Sequence, residues 1–122
     1  MSSTEATSDT LPLVPADWVS SRAVVTTPRP SSYLLQLAKH FRHKLDVRFD
    51  AHEAVIPFEG GHATLRVEGG ALSLAAFAQS PAGLDRVEDV IASHLERFGR
   101  RDELRVAWQR DRPADHPRGL VA

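Results

Sequence analysis

Apolar residues recur at helical spacing in two stretches of this chain and alternate with polar ones in several others. Leu34, Leu37, Ala38 and Phe41 repeat at i, i+3, i+4 and i+7, the stripe of a helix that buries one face. The stretch from Ser31 to Val47 therefore predicts one amphipathic helix running into a strand, with Ser31 or Ser32 as its cap. A second stripe runs through Leu84, Val87, Ile91, Leu95 and Phe98. Ser80 is its expected cap, Pro81 its first helical residue and Gly99 its stop.

Period two marks the strands. Arg22–Thr27 is a β-branched run closed by Pro28 and Pro30. Leu45, Val47, Phe49 and Ala51 alternate with Asp46, Arg48 and Asp50, the pattern of a half-buried strand. Ala54–Phe58 follows, with Pro57 pointing to an edge or bulge position because it lacks an N–H. Glu59-Gly60-Gly61-His62 and Glu68-Gly69-Gly70-Ala71 supply hairpin turns around Ala63–Val67 and Leu72–Ala75. Leu104, Val106 and Trp108 alternate in a last strand. The expected order is β-α-β-β-β-β-α-β, a two-layer α+β fold with a mostly antiparallel sheet of about six strands and both helices on one face. Residues 22–110 form the expected domain, between a disordered N-terminal arm over 1–21 and a disordered tail over 111–122.

Composition narrows the function classes. The chain has 122 residues, enough for one domain with its own core. It contains no cysteine, which removes disulfides, thiolate metal sites and cysteine nucleophiles. The longest apolar run, Ala71–Ala78, is far short of the roughly 20 residues that span a bilayer. The polar, acidic N-terminus does not read as a secretory signal, so a soluble cytoplasmic protein without a membrane partner is expected. Glu5, Asp9 and Asp17 lie in the arm, leaving 15 basic against 13 acidic side chains from residue 18 onward. That imbalance is too small for a nucleic-acid binder, and the few aromatic residues offer no stacking platform.

Candidate chemistry gathers on the two helices. His40 and His43 are three residues apart, about 60° around a helix axis, so their imidazoles can meet at one point. Neutral imidazole is a common ligand of zinc, iron and nickel, and a pair needs a third donor. His94, on the flank of the second stripe, is the candidate third ligand. The same residues also fit a plain reading in which His40 lies beside the stripe, His43 is solvated and His94 is a hydrogen-bonded, partly buried residue. Lys39 and Lys44 near the first helix and Arg97 near the end of the second could compensate an anion if the helix ends meet. Interleaved Glu96, Asp102 and Glu103 fit an ordinary solvated surface as well. His52-Glu53 and His62 fall at expected turns. No phosphate loop, zinc-protease helix, nucleophile elbow or paired-carboxylate site is present, so no catalytic residue is assigned.

With these residues in view, the chain resembles the bacterial family labelled domain of unknown function 2218, over about Arg22 to Gln109. The resemblance rests on Pro30, Ser32-Tyr33-Leu34, Gln36-Leu37, Lys39-His40-Phe41 with His43-Lys44, and the run His94-Leu95-Glu96-Arg97-Phe98. Phe58, the glycine turn before Leu65, Glu103-Leu104 and Trp108 extend it. Ala38 and Ala63 stand where members of the family often carry cysteine, and Gly99-Arg100 replaces a more apolar pair. The resemblance implies a small standalone protein near iron or siderophore handling, with Lys39, His40, His43, Lys44, His94 and Arg97 as the residues to test.

Two function classes follow. One is a small binding protein that holds a metal, haem or an iron-linked anionic ligand between its helices, using His40, His43 and His94 with Lys39, Lys44 and Arg97. The other is a non-enzymatic module that docks a protein partner, with structural histidines and an apolar patch around Ala75 and Phe77.

Overall fold

A computed structural model, which describes Pro15 and residues 17–111, turns that pattern into a six-stranded antiparallel sheet with both helices on one face. The elements are β1 (Val19–Thr26), α1 (Pro30–Phe41), β2 (Arg48–Phe49), β3 (Glu53–Phe58), β4 (Gly61–Glu68), β5 (Ala71–Ala78), α2 (Pro81–Phe98), a 3-10 turn (Arg100–Asp102) and β6 (Gln109–Asp111). In space the strands run β2-β3-β4-β5-β1-β6. The meander thus occupies one side, and β1 closes against β5 with Val19 opposite Ala78 and Thr26 opposite Ala71.

The α+β class and the order of elements match the expectation. Alternate residues of the central strands, such as Val25, Ile56, Leu65, Leu72 and Leu74, point to the helix layer and are buried. They meet Leu34, Leu37 and Ala38 of α1 and Leu84, Val87, Ile91 and Leu95 of α2. Each fully buried leucine or isoleucine contributes about 1.5–3 kcal/mol through removal of apolar surface from water.

The ends of elements depart from the expectation for identifiable reasons. α1 starts at Pro30 with no side-chain cap, and Ser31 Oγ instead donates to the Ala51 carbonyl at 2.8 Å. The expected strand from Leu45 to Ala51 shortens to Arg48–Phe49. On one side the Lys44 and Leu45 N–H groups both turn back to the Phe41 carbonyl. On the other, the Asp50 carboxylate accepts from the His52 and Glu53 N–H groups at 2.7 and 2.9 Å, which makes a turn. The expected last strand over Leu104–Trp108 forms no ladder, and pairing begins at Gln109. The Val106 N–H is taken by Glu96 Oε2 at 2.9 Å, so this segment is bonded to α2 rather than to a strand. Period two survives there as burial: Leu104 is buried, and Val106 and Trp108 pack against the core. β1 begins at Val19, inside the expected N-terminal arm, and Asp111 pairs with Ser20. The rest of the expected disorder, in residues 1–14, 16 and 112–122, lies outside the described residues. α2 matches its reading, since Ser80 accepts from the Gly83 N–H at 3.1 Å, Pro81 opens the helix and Gly99 ends it.

Asp102 ties the two helices together. Its carboxylate accepts the Tyr33 hydroxyl at 2.6 Å and two bonds from the Arg29 guanidinium at 3.0 and 3.2 Å. The Tyr33 hydrogen bond, then the Arg29 bond and charge, hold this carboxyl below its ordinary value of 3.8. A depressed carboxylate adds stability above its unfolded pKa and loses it as pH falls through the folded one. Asp102→Asn should therefore lower the melting temperature at neutral pH. The gap from wild type should close in acid, below both pKa values, as thermal unfolding at about pH 7 and about pH 2 would show.

Candidate inter-helix cleft

The end of α1 lies against the last turns of α2. The His40 and His94 rings come together there, with centroids 4.9 Å apart. Phe41 packs on His94 at 4.9 Å, and Phe98 meets His40 edge-on at 5.5 Å. Four rings from two helices thus form one cluster, which packing across the core and not sequence spacing creates. Beside it opens a cleft of about 480 Å³ lined by His40, Phe41, His43, Lys44, Leu45 and His94. That volume lies within the range of small-molecule sites, roughly 300–1,000 Å³.

The polar groups in the cleft are differently constrained. His94 Nδ1 lies 2.7 Å from the Val90 carbonyl, one turn back on α2. A carbonyl can only accept, so Nδ1 carries the proton, and in the neutral ring Nε2 is left as an acceptor or ligand. His40 is held below the ordinary histidine value, first by loss of solvent against its ring neighbours and then by the positive charge of His94, His43, Arg97 and Lys44. It is still exposed overall, so one side of its ring is dry and the other is open.

The expected site residues separate into three groups. His40 and His94 converge. His43 and Lys44 line the same cleft from the turn beyond α1, because the helix ends at Phe41 and does not carry His43 on its face. Arg97 reaches His40 through its charge but lines the adjoining cleft with Ser93, Arg100 and Arg105, while Lys39 is exposed and outside both. Among the described residues no three histidine, aspartate or glutamate side chains are placed to hold a metal ion. The donor set therefore does not fit a resident metal held by His40, His43 and His94, since a stable zinc site takes at least three protein ligands.

Phe41 and Leu45 line the cleft and Phe98 completes the ring cluster beside it, three residues that residue chemistry alone left in the core. Their signal was position: Phe41 adjoins His40, Leu45 lies two residues after His43 and Phe98 one turn after His94. His62 also differs from its reading as a turn residue. It lies on β4, stacks on Phe77 at 4.7 Å and is covered by Trp18 at 6.1 Å. Burial pushes its pKa down, and its Nε2 has no hydrogen-bond partner among the described residues. The unfolded chain therefore takes up this proton first, so stability should fall as pH drops below 6.5, the ordinary histidine value, and level off below the folded pKa. Denaturant unfolding across this range should show a shallower slope in His62→Gln, with His40 supplying part of the remainder.

The geometry can be set beside known proteins. A family model described as an uncharacterized protein conserved in bacteria, DUF2218, matches residues 22–109. An NMR structure of PA4090 from Pseudomonas aeruginosa is similar at 25% identity and a TM-score of 0.63, covering 75% of this chain and 95% of that one. No curated protein matches the chain. No helix among the described residues is long and apolar enough to cross a membrane.

Proposed function

The chain belongs to the bacterial DUF2218 family, and from that premise we propose that it is a small binding protein whose inter-helix cleft takes an anionic small molecule. The observation that carries the reading is the convergence of His40 and His94 in a ring-lined cleft that also holds Lys44 and His43. The rings of Phe41 and His40 and the Leu45 side chain suit an apolar or aromatic body. Lys44, His43 and the nearby Arg97 suit its negative group, and none of the groups lining the cleft is a carboxylate. His94 Nε2, with its tautomer set by Val90, supplies a directed hydrogen-bond acceptor.

Iron enters this reading only as part of the ligand. Two imidazoles leave most coordination positions to be filled, so a siderophore-type or haem-type ligand would keep its own donor atoms around the metal. The test is equilibrium titration of the purified protein with a ferric catecholate and with haemin, using benzoate as the metal-free anion. Saturable binding is expected, weakened about tenfold in Lys44→Gln, as for loss of one charge-assisted bond, and also weakened in His94→Ala, which removes a ring wall of the cleft. A wild type that binds none of the three at millimolar concentration would sink the reading, as would a His94→Ala variant with unchanged affinity for each.

A further inference from the structure

The sheet has a second face, and both helices pack on the other one. Cross-strand pairing lays Val55, Thr64 and Ala75 in one row of this second face, and Pro57, His62 and Phe77 in the next, where Trp18 lies over His62. The residues are small in the middle and large at one end. A trough of about 200 Å³ results, with Thr64, Ser73 and Ala75 low in it, His62 and Phe77 at one end and Arg66 and Glu68 at the other. On the neighbouring strand, directly opposite Ser73, stands Val24. It is 67% exposed and is the exposed large hydrophobic among the described residues.

We propose that this face is an interface between two copies of the chain, in which Val24 of each copy enters the trough of the other. The knob and the hollow lie on one surface about one strand spacing apart, so the surface complements itself. That is the condition for an isologous two-fold contact, which closes at the dimer. A two-fold axis along the strands, between β5 and β1, sets each Val24 over the partner's Ser73 at the mouth of the trough. Four strands at about 4.8 Å spacing and seven residues at about 3.4 Å give on the order of 450 Å² of face per copy. Two such faces bury roughly 1,000 Å², the lower bound for a specific interface, so the dimer is weak and its Kd lies in the micromolar range. Arg22, opposite Ala75, is drawn aside to Asp111 at 3.2 Å, and Arg66 and Glu53 pair at the edge, which leaves small and apolar side chains around Val24 and Ala75.

The experiment is sedimentation equilibrium of the full chain from low to high micromolar concentration. A monomer–dimer equilibrium is expected for wild type and for Arg86→Glu, which lies on the exposed side of α2. Val24→Asp, which places a charge on the knob, and Ala75→Arg, which fills the trough, should each weaken association about tenfold or more. Val24 is exposed, so Val24→Asp should keep the wild-type circular dichroism and melting temperature. A wild type that is monomeric at every concentration overturns the proposal and leaves the face to another partner or to the chain's own N-terminal segment. Assemblies that grow beyond the dimer, or a dimer indifferent to Val24→Asp, overturn it as well.

Discussion

Gly61→Ala should destabilise the domain by about 3 kcal/mol, at the upper end of overpacking costs. A Cβ at this position would lie 2.4 Å from the Phe77 carbonyl oxygen and 3.2 Å from the Ala78 Cα, both backbone atoms of the paired strand. Neither can turn aside as a flexible side chain would, so β4 and β5 must separate where His62 and Phe77 are stacked. Gly70 is the internal comparison. It occupies the same place in the next hairpin, yet a Cβ there meets nothing within 4 Å. Gly70→Ala should stay within about 0.5 kcal/mol of wild type. Denaturant unfolding of the two variants measures the difference directly, and equal losses would show that glycine acts at both places through the unfolded chain instead.

Ile91→Ala is expected to cost about 2–5 kcal/mol, the range for cutting a fully buried isoleucine back to its Cβ. Ile91 has no exposed surface and sits in the middle of the α2 stripe, facing the sheet. A loss of about 3 kcal/mol lowers the melting temperature by about 10–20 °C in a domain of this size. The effect should reach the cleft as well, because His94 is one turn along the helix and its ring is placed by how α2 seats on the core. Chemical shifts of His40 and His94 should move in this variant even where it is folded. If the shifts stay put, the four-ring cluster holds its own geometry and α2 does not position it.

How legible the molecule was depended on the range of the interaction. The stripe Leu84, Val87, Ile91 and Leu95 and the Ser80, Pro81 and Gly99 signals are local, and α2 follows them closely. The glycine turns behaved likewise, with positive φ at Gly60 and Gly69. The failures were competitions between local preference and a distant partner. Ser31 had the chemistry of a cap, but the Ala51 carbonyl took its hydroxyl. Leu104–Trp108 had strand periodicity, but Glu96 took the backbone donor of Val106. His62 sits beside two glycines and looks like a turn residue, yet Trp18 and Phe77 close over it from 44 positions before and 15 positions after.

The candidate site divides in the same way. That His40, His43 and His94 were the residues to examine is readable from their place beside the two stripes. Which of them meet is not, because it depends on where α1 stops and how deeply α2 is seated. The sequence by itself determined the class of the fold, the order of its elements and the face each helix buries, since these follow from periodicity and turn chemistry within a few residues. Tertiary structure alone decided that His40 faces His94 rather than His43, that Lys44 shares their cleft while Lys39 does not, and that Trp18 and Phe77 close over His62 on the sheet's second face. Those outcomes are set by packing between segments far apart in the chain, where a shift of one helical turn exchanges one side chain for another.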